Sequence, residues 1–269
     1  MKKHFLISGL VILLITACTK VPITNRKQSA WGSEDALQKM SDTAYTDFLA
    51  THKLTTNKAQ SDLVKKVGNN ISTAITTFFK TYENGKYYSA ISKYQWAFNT
   101  VEDPTANAWC MPGGKVVVYT GLLPITQNEN ALAVVMGHEI AHAVAKHGNE
   151  RMTQQMKAQG LGNVLSVAVS GSPASTQNIF SSVYGVAGNL TLLSYSRKHE
   201  TEADKIGLVF MALAGYDPNE AIAFWERMSK YSGTAAVPVF LSSHPSDAQR
   251  INDIKEWLPE AMKYYKKQP

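Results

Sequence analysis

Residues 130–147 constrain this chain more than any other stretch. There an apolar run (Leu132, Val135, Met136, Ile140 and Val144) carries His138, Glu139 and His142 in the order H-E-x-x-H. The apolar residues fit helical spacing, and helix positions i and i+4 share one face, so the two imidazoles can close on a single metal ion. Unpaired polar groups are costly inside an apolar helix, so two histidines and a glutamate there imply a partner that satisfies them. The bland alternative is a core helix that merely packs its histidines. Zinc bound by two histidines and a carboxylate, with an open fourth position, brings the pKa of its water to about 7 and polarises a carbonyl. Glu139 lies one position round from His138, where it can serve as general base. The pattern points to metal-assisted hydrolysis.

Two histidines alone hold catalytic zinc poorly, and the best source of a third ligand is the segment from Ser194 to Gly207. Glu200 and Asp204 are again i and i+4. Glu200 can then ligate, while Asp204 accepts the remaining ring N–H of a ligating histidine and fixes its tautomer. Glu202 is a rival ligand, in line with the stripe Ile206, Val209 and Leu213. Any of these acids could instead sit at an ordinary solvated helix start, where carboxylates favour the dipole.

The N-terminus reads as an export signal: Lys2 and Lys3 precede a short apolar segment from Phe5 to Ile15, too short to span a bilayer. It ends Leu14-Ile15-Thr16-Ala17-Cys18, which resembles a bacterial lipobox. This predicts a signal peptide over 1–17, acylation of Cys18, a lipid-anchored tether over 18–32 and one domain over 33–265. Without residues 1–17 the net charge falls from +6 to +4 and only Cys110 remains as a thiol, so no internal disulfide can form. Apart from Lys263, Lys266 and Lys267 the basic residues are scattered, and no nucleic-acid partner is expected.

Ser33 followed by Glu34 and Asp35 predicts a helix start, and a second helix fits 57–80 with Leu63, Val67, Ile71, Ile75 and Phe78 on one side. Residues 94–99 and 115–119 are predicted strands, separated by Pro112-Gly113-Gly114. Asp217-Pro218-Asn219-Glu220 should cap a helix, and Pro245 should open the last one, to about Tyr264. Residues 158–193, rich in Gly, Ala and Ser, are expected to be a packed helical pair, or else a lid. His52 and His199 read as surface or packing residues.

The block Ser196-Arg197-x-x-Glu200-x-Glu202-Ala203-Asp204 after H-E-x-x-H resembles the metallopeptidase family of HtpX, Oma and the CAAX endopeptidases. Asn107-Ala108-x-x-x-Pro112-Gly113-Gly114, Gly121-Leu122-Leu123 and His244-Pro245-x-x-x-x-Arg250-Ile251 resemble three further elements of that family, in order. The likeness spans 107 to about 251, and the lipobox places the chain with the lipid-anchored periplasmic branch similar to LoiP and YcaL. It implies a gluzincin fold, α+β but mainly α, with a small sheet whose edge strand borders the cleft. It further implies one Zn2+ held by His138, His142 and Glu200, with Glu139 as general base and acid and Asp204 orienting a ligand. By the same resemblance Asn107 and Ala108 bind the substrate backbone by strand addition, and His244 and Arg250 face the cleft, where they could stabilise an oxyanion. His147 is not a ligand on this reading. The longer metzincin pattern would need Gly at 145 and His at 148, where this chain has Ala145 and Gly148.

The expected activity is endopeptidase cleavage of unfolded or misassembled proteins of the bacterial envelope. Two rivals stand beside it: a zinc-dependent chaperone or assembly factor whose site His244 plugs, and an exopeptidase, for which no terminus-binding charge is evident.

Overall fold

Alternation along three short strands divides the molecule into two apolar cores. The structure, a computed structural model, describes residues 18–30, 32–158, 174–184, 195–231, 238–245 and 248–266. Strands β3 (Ala97–Val101), β4 (Ala108–Met111) and β5 (Lys115–Tyr119) form a sheet in the order β3-β5-β4. β3 runs parallel to β5, with Ala97 opposite Lys115, and β4 runs antiparallel to it, with Ala108 opposite Val118. Successive side chains point to opposite faces. Phe98, Ala108, Cys110, Val116 and Val118 therefore enter the larger core, while Val101, Trp109, Met111, Val117 and Tyr119 enter the smaller. β4 is an outer strand of this sheet, as the resemblance implied. β3 begins three residues later than propensity suggested, because its register follows β5. Tyr94 and Trp96 stay outside the ladder, and the Trp96 ring lies close over Gly114.

Helix α1 (Glu34–Thr51) starts as expected, the Ser33 hydroxyl accepting from the Ala36 amide. It packs on the smaller core with α6 (His147–Ala158) and α7 (Ala174–Tyr184), through Leu37, Tyr45, Met152, Met156, Ile179 and Phe180. α7 is the part of 158–193 that the structure describes; the remainder of the expected pair or lid lies outside the described residues. Helix α2 (Lys58–Phe79), capped by Asn57, buries Val64, Val67, Ile71, Ile75 and Phe79 on the larger core. After a short α3 (Tyr88–Ile91) and α4 (Leu123–Thr126), α5 (Glu129–Val144) begins where the Asn128 side chain accepts from the Ala131 amide. All residues from Ala131 to Val144 are buried. α8 (Arg197–Leu213) lies against α5, followed by α9 (Glu220–Ser229), α10 (Val239–Ser243) and α11 (Ala248–Met262). The architecture is α+β and mainly α. No described helix is long and apolar enough to cross a membrane.

Asp217 does not cap α9 directly. Its carboxylate accepts from the Asn219 amide in the turn before, and the helix starts at Glu220. Residues 1–17 and the two residues after Pro245 lie outside the described residues.

The stretch expected to be a tether differs most. Residues 18–29 form an antiparallel hairpin, β1 (Cys18–Lys20) with β2 (Lys27–Ser29), Cys18 opposite Ser29. Val21 is fully buried and the Ile23 amide donates to the Tyr82 hydroxyl. Three-residue strands carry too little alternation to stand out in a polar sequence. The hairpin is held by contacts to distant residues, not by its own propensity.

Candidate metal centre

Two glycines set the distance between α5 and α8. A Cβ on Gly207 would stand 2.8 Å from the His138 amide nitrogen, and one on Gly137 would stand 2.9 Å from the Gly207 carbonyl oxygen. Only hydrogen at both positions lets the backbones approach this closely. The H-E-x-x-H face and the first turns of α8 are thereby pressed together. The Ser196 hydroxyl accepts from the His199 amide to start α8, which places Glu200 and Asp204 one turn apart on the side facing α5.

His138, His142, Glu200 and His244 are all buried and offer ligand atoms within 4.8 Å of one another. His138 Nε2 lies 3.0 Å from His142 Nε2, and Glu200 Oε2 and Oε1 lie 3.4 Å from these two nitrogens respectively. Zinc with bonds of about 2.0–2.1 Å in tetrahedral geometry separates its donors by about 3.3–3.4 Å. Nitrogen and carboxylate donors at this spacing fit that ion.

His244 enters the same cluster. Its Nδ1 stands 3.1 Å from His138 Nε2 and 3.0 Å from Glu200 Oε1, and its Nε2 stands 3.3 Å from Glu139 Oε1. It is therefore a fourth donor as well as a neighbour of Glu139, a closer engagement than the cleft-facing place expected for it. It arrives from the end of α10, where its own amide donates to the Phe240 carbonyl.

The carboxylates divide by surroundings. Burial pushes the Glu139 carboxyl up to about 7, with the charges of His244 and Arg250 opposing and that of Glu200 adding. Burial alone would raise Glu200 too, but the His244 charge and hydrogen bonds from His138, His142 and His244 hold it well below the usual carboxylate range. One acid is poised near neutrality, while the other stays ionised.

Asp204 Oδ1 lies 2.8 Å from His138 Nδ1, the contact expected of it. Arg250 also reaches the cluster. The guanidinium is buried behind the cluster, forked onto Asp204 (Nε to Oδ2 and Nη2 to Oδ1, both 2.8 Å), 3.1 Å from Glu200 Oε2 and 3.4 Å above the Trp225 ring. Two carboxylates and an aromatic face hold it there, so it supports Asp204 and Glu200.

Glu202, the rival ligand, points away from the cluster, to His147 Nε2 at 3.0 Å, the Thr24 hydroxyl and Arg26 Nε at 2.6 Å. His147 is no part of the donor cluster, yet its Nδ1 is 2.9 Å from His142 Nδ1. Lys146, at φ +59°, ends the preceding turn and swings His147 back onto His142. His199 is buried, stacked on His147 and 3.1 Å from Glu150. His52 stacks on Phe48 at the end of α1. Tyr195 stacks on His142 with centroids 4.0 Å apart. Arg26, His147 and Tyr195 were missed as neighbours of the site, and the one sequence signal for them is a histidine just past the motif helix. Ala108 opens the outer strand β4, and Asn107, fully buried, accepts from the Tyr119 amide through its carbonyl. Cys110 is a buried free thiol whose pKa burial raises well above its usual value.

Residues 87–258 match peptidase family M48. The chain is 34% identical over 257 residues to the mitochondrial metalloendopeptidase OMA1 of Schizosaccharomyces pombe, covering 95% of this chain and 71% of that protein. It is 29% identical to the human metalloendopeptidase OMA1, over 94% of this chain and 48% of the relative. A β-barrel assembly-enhancing protease of Yersinia pestis is also 29% identical, over 67% of this chain and 38% of the relative. With the family match covering most of the chain and the buried donor cluster suited to zinc, the chain belongs to peptidase family M48 and is a zinc metalloendopeptidase.

Proposed function

We propose that the chain is an endopeptidase of the bacterial cell envelope that cleaves unfolded or misassembled envelope proteins, anchored by lipid on Cys18 and facing the periplasm, at the outer membrane. The observation that carries the catalytic part is the meeting of His138, His142 and Glu200 donors beside a buried Glu139 whose carboxyl is pushed up to about 7. The Ala17-Cys18 junction and the relatives named for β-barrel assembly in Yersinia pestis and Vibrio cholerae support the envelope.

In this reading His138, His142 and Glu200 hold one zinc ion, which supplies Lewis acidity and a water acidified toward neutral pH. Glu139, buried beside the donors, takes the proton of the attacking water and gives it to the leaving amine. Asp204 fixes His138 through Nδ1, and Arg250 fixes Asp204. Asn107 and Ala108 lie at the start of β4, where an extended substrate backbone would add to the outer strand.

His244 favours a second reading, a chaperone or assembly factor with a latent protease site, because its Nδ1 stands among the donors where a reacting group would otherwise enter. One assay separates these. An unfolded protein and a peptide capped at both ends are incubated with wild type, Glu139→Gln and His244→Ala. Glu139→Gln should keep its zinc and lose about 10²–10⁴-fold in cleavage; undiminished turnover rejects the assignment. Faster cleavage by His244→Ala supports a latent site, and its loss makes His244 a partner in the reaction. Cleavage of the capped peptide excludes an exopeptidase.

A further inference from the structure

Each histidine of the H-E-x-x-H pair is backed by a carboxylate and an arginine, but the two chains of contacts come from different parts of the sequence. His138 Nδ1 meets Asp204 directly, and Asp204 is held by Arg250. His142 Nδ1 meets His147 Nδ1 at 2.9 Å, His147 Nε2 meets Glu202 Oε2 at 3.0 Å, and Glu202 is held by Arg26 at 2.6 Å and by the Thr24 hydroxyl. We propose that the N-terminal hairpin is a working part of the metal centre, with Arg26 a positioning residue for His142 through Glu202 and His147. This rests on the reading of His142 as a zinc ligand.

Tautomers make the chain directional. A neutral imidazole carries one N–H, so a His142 that offers its Nε2 lone pair to zinc must hold its proton on Nδ1. That proton is donated to His147 Nδ1, which places the His147 proton on Nε2, donating to the Glu202 carboxylate. The relay ends correctly only if Glu202 is an acceptor in a fixed orientation. Arg26 provides that, with Nε on Glu202 and Nη1 and Nη2 on Glu150 at 3.1 and 2.8 Å, so that one planar group aligns two acids. Glu150 in turn receives His199 Nε2 at 3.1 Å, and His199 stacks on His147.

The turn that delivers Arg26 is itself constrained. Ile23 stands at φ +70° and Asn25 at φ +56°. A β-branched residue in the left-handed region is a costly conformation that persists only when its surroundings fix it. Here the Ile23 amide donates to Tyr82, the Val21 amide to the Arg26 carbonyl, and the Asn25 amide to the Val21 carbonyl. The strain is confined to the residues that aim Thr24 and Arg26 at Glu202.

The test uses the full chain and reads zinc affinity by chelator competition, the visible d–d band of the Co2+-substituted protein, and thermal stability. Loss of a partner that touches a metal ligand directly costs about 10–100-fold in metal affinity; Arg26 acts two contacts behind His142, so Arg26→Met should cost about 5–10-fold, with a shifted cobalt band. Val21→Ala loosens the same hairpin but keeps the relay, so it should lower stability while leaving affinity within about twofold. Arg26→Lys keeps the charge but not the fork, and should recover part of the loss. Arg26→Met with wild-type affinity and an unshifted band overturns the proposal, as does Val21→Ala losing as much affinity as Arg26→Met. Should Arg26→Met not fold, Arg26→Lys is read against Val21→Ala by the same criteria. His142→Ala is the reference: unchanged zinc binding there rejects the ligand assignment itself, whereas its loss alongside an unaffected Arg26→Met rejects the hairpin's role alone.

Discussion

Gly207→Ala probes the contact that brings the two halves of the site together. The added methyl carbon would lie 2.8 Å from the His138 nitrogen and 3.0 Å from both the Gly137 carbonyl carbon and the His138 Cα, against 3.4–4 Å for ordinary contact. All three are backbone atoms inside a helix and cannot swing aside. α8 must therefore back away from α5 by about 0.5 Å, and overpacking of this kind costs about 1–3 kcal/mol. For a chain of this size that lowers Tm by about 2–12 °C. The damage to the site should be larger than the damage to the fold. Metal sites tolerate deviations of about 0.2 Å in ligand distance, so a shift of Glu200 by twice that should weaken zinc binding at least about tenfold. Chelator competition and thermal denaturation measure the two effects separately. Gly215→Ala is the control: Gly215 stands at φ +83° at the far end of α8, where a side chain strains the backbone without touching α5. It should lower Tm and leave zinc affinity intact. Wild-type zinc affinity in Gly207→Ala would refute the view that this seam sets the ligand geometry.

Asp204→Ala should reduce zinc affinity about 10–100-fold, because His138 loses the acceptor of its Nδ1 proton; unchanged affinity in a chelator titration would show that the ring is oriented by packing alone. The same variant takes away one of the two carboxylates that hold the buried Arg250 and leaves it Glu200, which should cost about 1.5–3 kcal/mol in denaturant unfolding. Burial alone would raise the Glu150 carboxyl, but hydrogen bonds and charge from His199 and Arg26 lower it from 4.5 to about 2. A depressed folded-state pKa stabilises above the unfolded value and is lost as pH falls from about 4.5 to 2, so wild type should exceed Glu150→Gln by about 1–2 kcal/mol at pH 7, solvent screening included, and lose that margin as pH falls toward 2. A gap that stays constant across that range would count against it.

The metal-binding half of the site was legible because its geometry is local. H-E-x-x-H and Glu200 with Asp204 are i,i+4 pairs, and a helix of known pitch turns each into a shared face. Helix starts at Ser33 and near 57 were legible for the same reason, since the capping side chain lies within three residues of its partner. What connects the halves was not. Gly137 and Gly207 look like weak points in helices until the partner backbone is seen. Arg26 reaches Glu150 and Glu202 across 124 and 176 residues, and nothing in a polar segment near the N-terminus signals that. His147 was set aside because it lacks the spacing of a ligand, which is correct for the donor cluster but silent on a residue that touches a ligand from behind. Arg250 was legible from its motif, but its fork onto Asp204 and its seat on Trp225 depend on residues distant in sequence.

The motif helix α5 has no side that meets water between Ala131 and Val144. Backbone amides in such a segment exchange with solvent only when the surrounding structure comes apart as a whole. The histidine pair proposed to hold the metal is thus built into an element that opens late, so it should endure as long as the native state itself, whatever loops and termini do around it.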